Sequence, residues 1–233
     1  MRDSYSVQGG GIPVAQIEAD ARAAFISKTY IHLALAVAGF VGIEVALFST
    51  GVAYSIAETM LGTSWLLVLG AFMVVGWLAS RAAHTAKSLA VQYLALVGFV
   101  VAEALVFVPL LAMAEYYAEG AITSAAYVTA LGFLGLTLVA FLTGKDFSFL
   151  RSILWWAGIV AICLIVMGVI FGFQMGTFFS VAMIAFAGGA ILYDTSNVIH
   201  HYPEDRYVGA ALELFASVAL MFWYVLRLFM SRD

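Results

Sequence analysis

Long apolar stretches separated by short polar breaks make up most of the chain. A helix needs about 20 apolar residues to cross a bilayer, and seven stretches approach or exceed that length: residues 31–49, 64–80, 89–113, 121–143, 152–172, 176–199 and 208–230. These stretches are continuously apolar, whereas the strands of a membrane barrel alternate apolar and polar residues. The pattern therefore predicts an all-α integral membrane protein with seven transmembrane helices. We place a polar N-terminal segment at residues 1–29 and the membrane domain at residues 30–233.

The composition supports this interpretation and narrows the chemistry. Of the 233 residues, 64% are hydrophobic and 10% are charged, whereas a soluble domain carries about 25% charged residues. Membrane lipid is the expected surrounding, and nucleic acid is not an expected partner because no basic stripe is present. We find neither the metalloprotease pattern His-Glu-x-x-His nor a Gly-x-Ser-x-Gly turn. We therefore expect no enzyme activity and no cofactor.

The distribution of lysine and arginine predicts how the chain lies in the membrane. Eight of the ten occur before the first span or in the breaks after spans two, four and six: Arg2, Arg22, Lys28, Arg81, Lys87, Lys145, Arg151 and Arg206. The breaks near residues 50–63, 114–120 and 173–175 contain none. The positive-inside rule then places the N-terminus in the cytoplasm. Seven crossings put the C-terminus on the other side, whereas a re-entrant last span would return it to the cytoplasm.

Four carboxylic acids lie inside the proposed spans, namely Glu44, Glu103, Asp194 and Glu213. Arg227 is the only lysine or arginine in any of these spans. A low dielectric disfavours the charged form of an acid, so we expect some of the four to be protonated near neutral pH. Intramembrane acids of this kind serve proton sensing, proton relay or cation binding, although each could also be a hydrogen-bonded structural contact.

Several apolar residues also receive predictions. Gly188-Gly189 in span six should allow a neighbouring helix to approach closely. Aromatic residues are commonly found at membrane interfaces, so we expect lipid-facing or interfacial positions for a group of four: Trp155, Trp156, Trp223 and Tyr224. The lone cysteine, Cys163, is expected to be a small packed core residue.

Three short stretches resemble a known family. They are Lys28-Thr29-Tyr30, Lys145-Asp146-Phe147-Ser148-Phe149-Leu150 and the most specific one, Gly189-Ala190-Ile191-Leu192-Tyr193-Asp194-Thr195-Ser196-Asn197-Val198-Ile199-His200. With these stretches the chain resembles the Bax inhibitor-1 family of seven-span proteins over about residues 22–233, and within it the bacterial YccA-like branch.

The resemblance implies a central last helix that the other six surround. In the leak-type members, one aspartate on span six and one on span seven share a proton and close a pore. Asp194 matches the first position, and Ser217 occupies the second, as in the YccA-like branch. Ser217 and Asn197 would be hydrogen-bond partners of Asp194. Serine cannot supply a second charge, so Glu213, one turn before Ser217, is the candidate second carboxylate.

Two functions follow as expectations from this resemblance. The first is a non-enzymatic protein of the bacterial inner membrane that binds and modulates the membrane-anchored ATP-dependent protease FtsH. The second is a pH-sensitive calcium leak gated by Asp194. Calcium would then be the transported ion, and Asp194 would be its candidate binding residue. Glu103 and Glu44 are secondary intramembrane acids in both cases.

Overall fold

The computed structural model describes residues 12–173 and 175–231. The first eleven residues of the predicted segment 1–29 therefore lie outside the described part. Eight α-helices follow in order: α1 Ala19–Ser49, α2 Val52–Leu61, α3 Trp65–Thr85, α4 Leu89–Tyr117, α5 Ala121–Thr143, α6 Leu150–Phe171, α7 Thr177–His200 and α8 Tyr207–Met230. Short 3-10 turns at Val14–Gln16 and Glu204–Arg206 precede α1 and α8. All helices except α2 are long and apolar enough to cross a membrane.

Two features at the start of the bundle differ from the predicted spans. The first helix begins at Ala19 rather than near residue 31, because the charged residues there lower the hydropathy while the many alanines still favour a helix. The short helix α2 has only ten residues, too few for a span, so a search for long apolar stretches misses it. Gly51 separates α1 from α2 in a left-handed conformation, with φ of 76°.

The last helix is the most enclosed of the long helices, as the family resemblance implies. It packs against α1, α3, α4, α5 and α7, whereas α6 lies further out, against α7 and to a lesser extent α3. The next most enclosed helix is α4, which is apolar on all sides, as expected of a helix in the middle of a bundle. It continues through Pro109 without a break.

Small residues bring the helices close together. A Cβ atom added to Gly188 would lie 3.3 Å from the Leu136 side chain of α5, and one added to Gly189 would lie 3.3 Å from Leu154 of α6. The predicted close approach at Gly188-Gly189 is thereby confirmed. A Cβ atom at Gly209 would lie 3.2 Å from the backbone oxygen of Ala83, so α8 and α3 meet almost backbone to backbone.

The orientation of the aromatic residues corrects part of the sequence analysis. Trp155 and Trp156 are exposed on the outside of α6, as predicted. The lipid-facing or interfacial position expected for Tyr224 is wrong, because Tyr224 is buried. Trp223 is half-buried, and its ring stacks on Trp65 at 5.9 Å. Cys163 is exposed rather than packed. Both lipid and protein interior are apolar, so hydropathy does not indicate which side a residue faces.

We predict that Gly209→Ala destabilises the bundle by about 1–3 kcal/mol, the usual cost of overpacking. The Ala83 carbonyl belongs to a helix backbone and has little freedom to yield to the new methyl group. Gly135→Ala is the matched control, because no atom lies within 4 Å of its added Cβ. That variant should gain about 0.5–1 kcal/mol from helix propensity. Unfolding in mixed detergent micelles measures both, and equal changes would contradict the prediction.

Candidate functional site

One end of the bundle gathers the N-terminal turn and the connections α3–α4, α5–α6 and α7–α8. We call it the basic end because it carries Arg22, Lys28, Arg81, Lys87, Lys145, Arg151 and Arg206. Direct bonds join these segments. The Arg206 Nη1 donates to the Ala86 backbone oxygen at 2.6 Å, and the His201 Nε2 lies 3.0 Å from the Asp146 Oδ2. The helix ends that sequence reasoning assigned to one side of the membrane are therefore bonded to one another.

The N-terminal turn closes against the α7–α8 connection. Val14 donates its backbone N–H to the Tyr202 oxygen at 2.9 Å, and its side chain is fully buried. Pro13 and Pro203 face each other in an antiparallel bridge. The ring of Phe25, on the first turns of α1, lies 6.4 Å from the Tyr202 ring. Tyr202 therefore contacts both the N-terminal turn and the first turns of α1.

The most specific motif of the sequence ends in a buried hydrogen bond between α7 and α8. The Ser217 Oγ donates to the Asp194 Oδ2 at 2.5 Å, and both residues are more than nine-tenths buried. The helices bring these side chains together although they are 23 positions apart in sequence. In the leak-type members of the family that the chain resembles, these two positions hold two aspartates. Here they hold one carboxylate and one hydroxyl.

Glu213 belongs to the same region but has different partners. Its Oε1 accepts a hydrogen bond from the Ser80 Oγ of α3 at 2.6 Å, and the His84 Nδ1 lies 3.7 Å away. The His84 Nε2 is in turn 3.3 Å from the Tyr202 hydroxyl. Burial first, and then the carboxylates of Glu213 and Asp194, raise the pKa of Tyr202 well above its usual value. The Tyr202 hydroxyl therefore stays protonated beside both acids.

Asn197 does not take the position expected of it. It lies one helical turn beyond Asp194, and its side chain is half-buried. Within the described residues that side chain makes no hydrogen bond to Asp194, because the Asp194 carboxyl turns to α8 instead. The backbone oxygen of Asn197 accepts the N–H groups of His201 and Tyr202 at 2.8 and 3.1 Å. These bonds close the last turn of α7, which ends at His200.

The two secondary acids lie apart from Asp194 and apart from each other. Glu44 and Glu103 are equally buried, each 7% exposed. Both carboxyl oxygens of Glu44 are enclosed and have no hydrogen-bond partner among the described residues. Glu103 instead lines a cavity of about 1120 Å³ between α3, α4, α6, α7 and α8. That cavity extends from Glu213, near the basic end, to Arg227 near the opposite end of α8.

Sequence reasoning missed a contact between the α5–α6 connection and the end of α7. Asp146 accepts the Ser148 backbone N–H at 2.9 Å and bonds His201 at 3.0 Å. The Ser148 N–H first, and then His201, lower the pKa of Asp146 to about 2. Because this pKa is lowered, the bonds of the ionised Asp146 carboxylate stabilise the fold at pH values above the usual pKa of aspartate. That stabilisation is lost as the pH falls towards 2. Asp146 is therefore ionised throughout the neutral range.

Among the described residues, the Asp194 carboxyl has one hydrogen-bond partner, the hydroxyl of Ser217. Calcium takes six to eight oxygen ligands, whereas Asp194 is bonded to the single hydroxyl of Ser217. Across the ranges 12–173 and 175–231, no three His, Cys, Asp or Glu side chains come together as metal ligands. The arrangement is suited to holding or releasing a proton at a buried acid, with hydroxyl donors from neighbouring helices.

Comparisons with known proteins agree with this architecture. The Golgi anti-apoptotic protein of vaccinia virus (strain Lister) is 27% identical over 225 residues, which cover 94% of this chain and 90% of the viral one. The Pseudomonas aeruginosa protein PA2604 is 33% identical over 111 residues, 46% of this chain and 49% of that protein. No solved structure matches the chain.

A bacterial relative has a name that states a function. The "Modulator of FtsH protease YccA" of Escherichia coli (strain K12) is 36% identical over 110 residues, 45% of this chain and 49% of YccA. The chain thus spans about half the length of PA2604 and YccA in these matches. The family model described as "Inhibitor of apoptosis-promoting Bax1" matches residues 22–233. With nearly its whole length matched, the chain belongs to the Bax inhibitor-1 family.

Proposed function

We propose that the chain is a non-enzymatic, multi-pass protein of the bacterial inner membrane that binds and modulates an FtsH-type membrane-anchored ATP-dependent protease. The observation that carries the proposal is the 36% identity over 110 residues to YccA, which is named a modulator of that protease. In this proposal the basic end faces the cytoplasm, in agreement with the positive-inside rule. The bonded segments of that end are then the first folded structure that the protease meets.

The physical basis of modulation would be resistance to extraction. A protease that pulls on the N-terminus must first withdraw the buried Val14 and break its hydrogen bond to Tyr202. Only then does the force reach α1, which packs on the enclosed helix α8. A bound protein that releases its terminus slowly occupies the protease and delays the degradation of other membrane proteins.

We predict that Val14→Asp is degraded several-fold faster by FtsH in proteoliposomes. A carboxylate in this buried position is costly without a partner, so the N-terminal turn should detach while the helical bundle stays folded. Ile12→Asp is the matched control, because Ile12 is apolar, close in sequence and 58% exposed. The milder Val14→Ala should show a smaller effect of the same sign.

The readouts are the half-life of the protein and that of a second membrane substrate added with it. Val14→Asp should also weaken the protection of the second substrate, whereas Ile12→Asp should leave it unchanged. Equal half-lives for the two aspartate variants would contradict extraction resistance. Failure of the unaltered chain to bind FtsH would contradict the proposed function itself.

A pH-sensitive calcium leak is the second candidate, and the buried Asp194–Ser217 bond favours it. Charging a carboxyl at membrane depth changes the energy of the α7–α8 contact, so the protonation of Asp194 could shift the balance between closed and open bundles. Glu213 bonds Ser80 rather than Asp194. The switch would therefore depend on one acid and its serine donor, without the shared proton of an aspartate pair.

We predict that calcium efflux from liposomes containing the protein differs between pH 6 and pH 8, and that Asp194→Asn removes the difference. Ser217→Ala should change the pH response as well, because it removes the donor that holds the Asp194 carboxylate. Asp205→Asn is the control, since Asp205 is exposed and pairs with Arg206. Efflux no greater than from empty vesicles, in the unaltered protein and in Asp194→Asn alike, would eliminate the leak.

A further inference from the structure

The large cavity opens sideways towards the lipid. We call it the α3–α6 cleft, because half-exposed residues of both helices form its rim: Met73 and Trp77 on α3, and Ile162 and Val169 on α6. Met73, Trp77 and Ile162 lie well away from the ends of long apolar helices, and Val169 lies near the end of α6. A ligand dissolved in the bilayer could therefore enter the cleft without passing through water.

The wall of the cleft is rich in aromatic rings. Six of them come from α3, α4 and α8: Trp65, Phe72, Phe99, Phe107, Trp223 and Tyr224. Several pack directly on one another, with the Phe107 ring 4.9 Å from Trp223. Aromatic faces attract cations, and the attraction strengthens when water is excluded. The wall thus offers both apolar area and a preference for positive charge.

Glu103 gives the cleft a specific chemical feature. It is 7% exposed, lines the cavity and makes no hydrogen bond or ion pair with the described residues. Glu44 is equally buried and also unpaired, but it does not line the cleft. A buried charge is costly unless it is paired, so a cation in the cleft would supply the partner that the protein does not give Glu103.

The charges of the cleft are separated along its length. Glu213 stands towards the basic end, hydrogen-bonded to Ser80. Arg227 stands at the other end, 6.0 Å from the centre of the Tyr224 ring. These two residues of α8 are 14 positions apart, which corresponds to about 21 Å of helix. The one lysine or arginine among the residues that line the cleft is thus at the end opposite Glu213.

We propose that the α3–α6 cleft binds a lipophilic organic cation that enters from the bilayer. Its positive charge would sit beside Glu103, and its apolar groups would cover the aromatic wall. A volume of about 1120 Å³ slightly exceeds the usual range for sites that enclose drug-sized ligands. The proposal does not depend on protease modulation or calcium leak, because binding to the isolated protein requires neither.

The test uses tetraphenylphosphonium and the purified full chain in lipid nanodiscs, with binding followed by equilibrium dialysis. We expect Glu103→Gln to raise the Kd at least tenfold and Glu44→Gln to change it less than twofold. Triphenylphosphine oxide, a neutral aromatic compound, should bind at least tenfold more weakly than the cation. Its binding should be the same in the unaltered protein and in Glu103→Gln.

A second pair of variants covers the case in which Glu103→Gln does not fold. Ile162→Trp fills the rim of the cleft and should weaken binding, whereas Ile159→Trp is a similarly exposed change on the same helix outside it. Equal effects in this pair, or equal effects of the two glutamine variants, would overturn the proposal. So would equal binding of the neutral compound, which would indicate a cleft that simply holds bilayer lipid.

Discussion

A polar side chain at membrane depth has no water to bond, so leaving it without a partner in the protein is costly. Around α8 this constraint is met by short hydrogen bonds between helices. Ser217 donates to Asp194 of α7, and Glu213 accepts from Ser80 of α3. Each bond fixes the rotation of α8 relative to a neighbour, because a slip of one residue would separate the carboxyl of Asp194 or Glu213 from its serine donor. The enclosed last helix is thus held by polar contacts as well as by small residues.

Tyr202 connects these bonds to the surface of the basic end. Its backbone oxygen holds Val14, while its hydroxyl lies beside His84 and near the two acids. Release of the N-terminal turn and a change in the charge of the acids would therefore both act on the same residue. The two candidate functions are compatible for this reason, since extraction from the N-terminus and proton occupancy meet at one connection.

The sequence was sufficient for the positions of most helices, because the hydrocarbon thickness imposes a length that apolar stretches reveal directly. The family motif also led to Ser217, which spacing alone would not have paired with Asp194. The rotation of each helix could not be predicted in this way. Trp223 and Tyr224 line the cleft, and the Asn197 side chain does not bond Asp194, because these outcomes depend on contacts between distant segments. The same applies to the Asp146–His201 contact and to the cleft beside Glu103.

The bridge between Pro13 and Pro203 has a consequence for how the molecule meets its neighbours. Proline has no N–H to donate, and the carbonyl of each proline already accepts a bond within its own turn, from Gln16 and from Arg206. A proline therefore stands next to each partner of the Val14–Tyr202 bond, Pro13 before Val14 and Pro203 after Tyr202. The two extended segments cannot form a longer ladder of hydrogen bonds at these prolines. A short extended pairing at the mouth of a membrane protein could recruit further strands. Here the two prolines end the pairing, so it does not present a free strand edge on which another chain could add a strand.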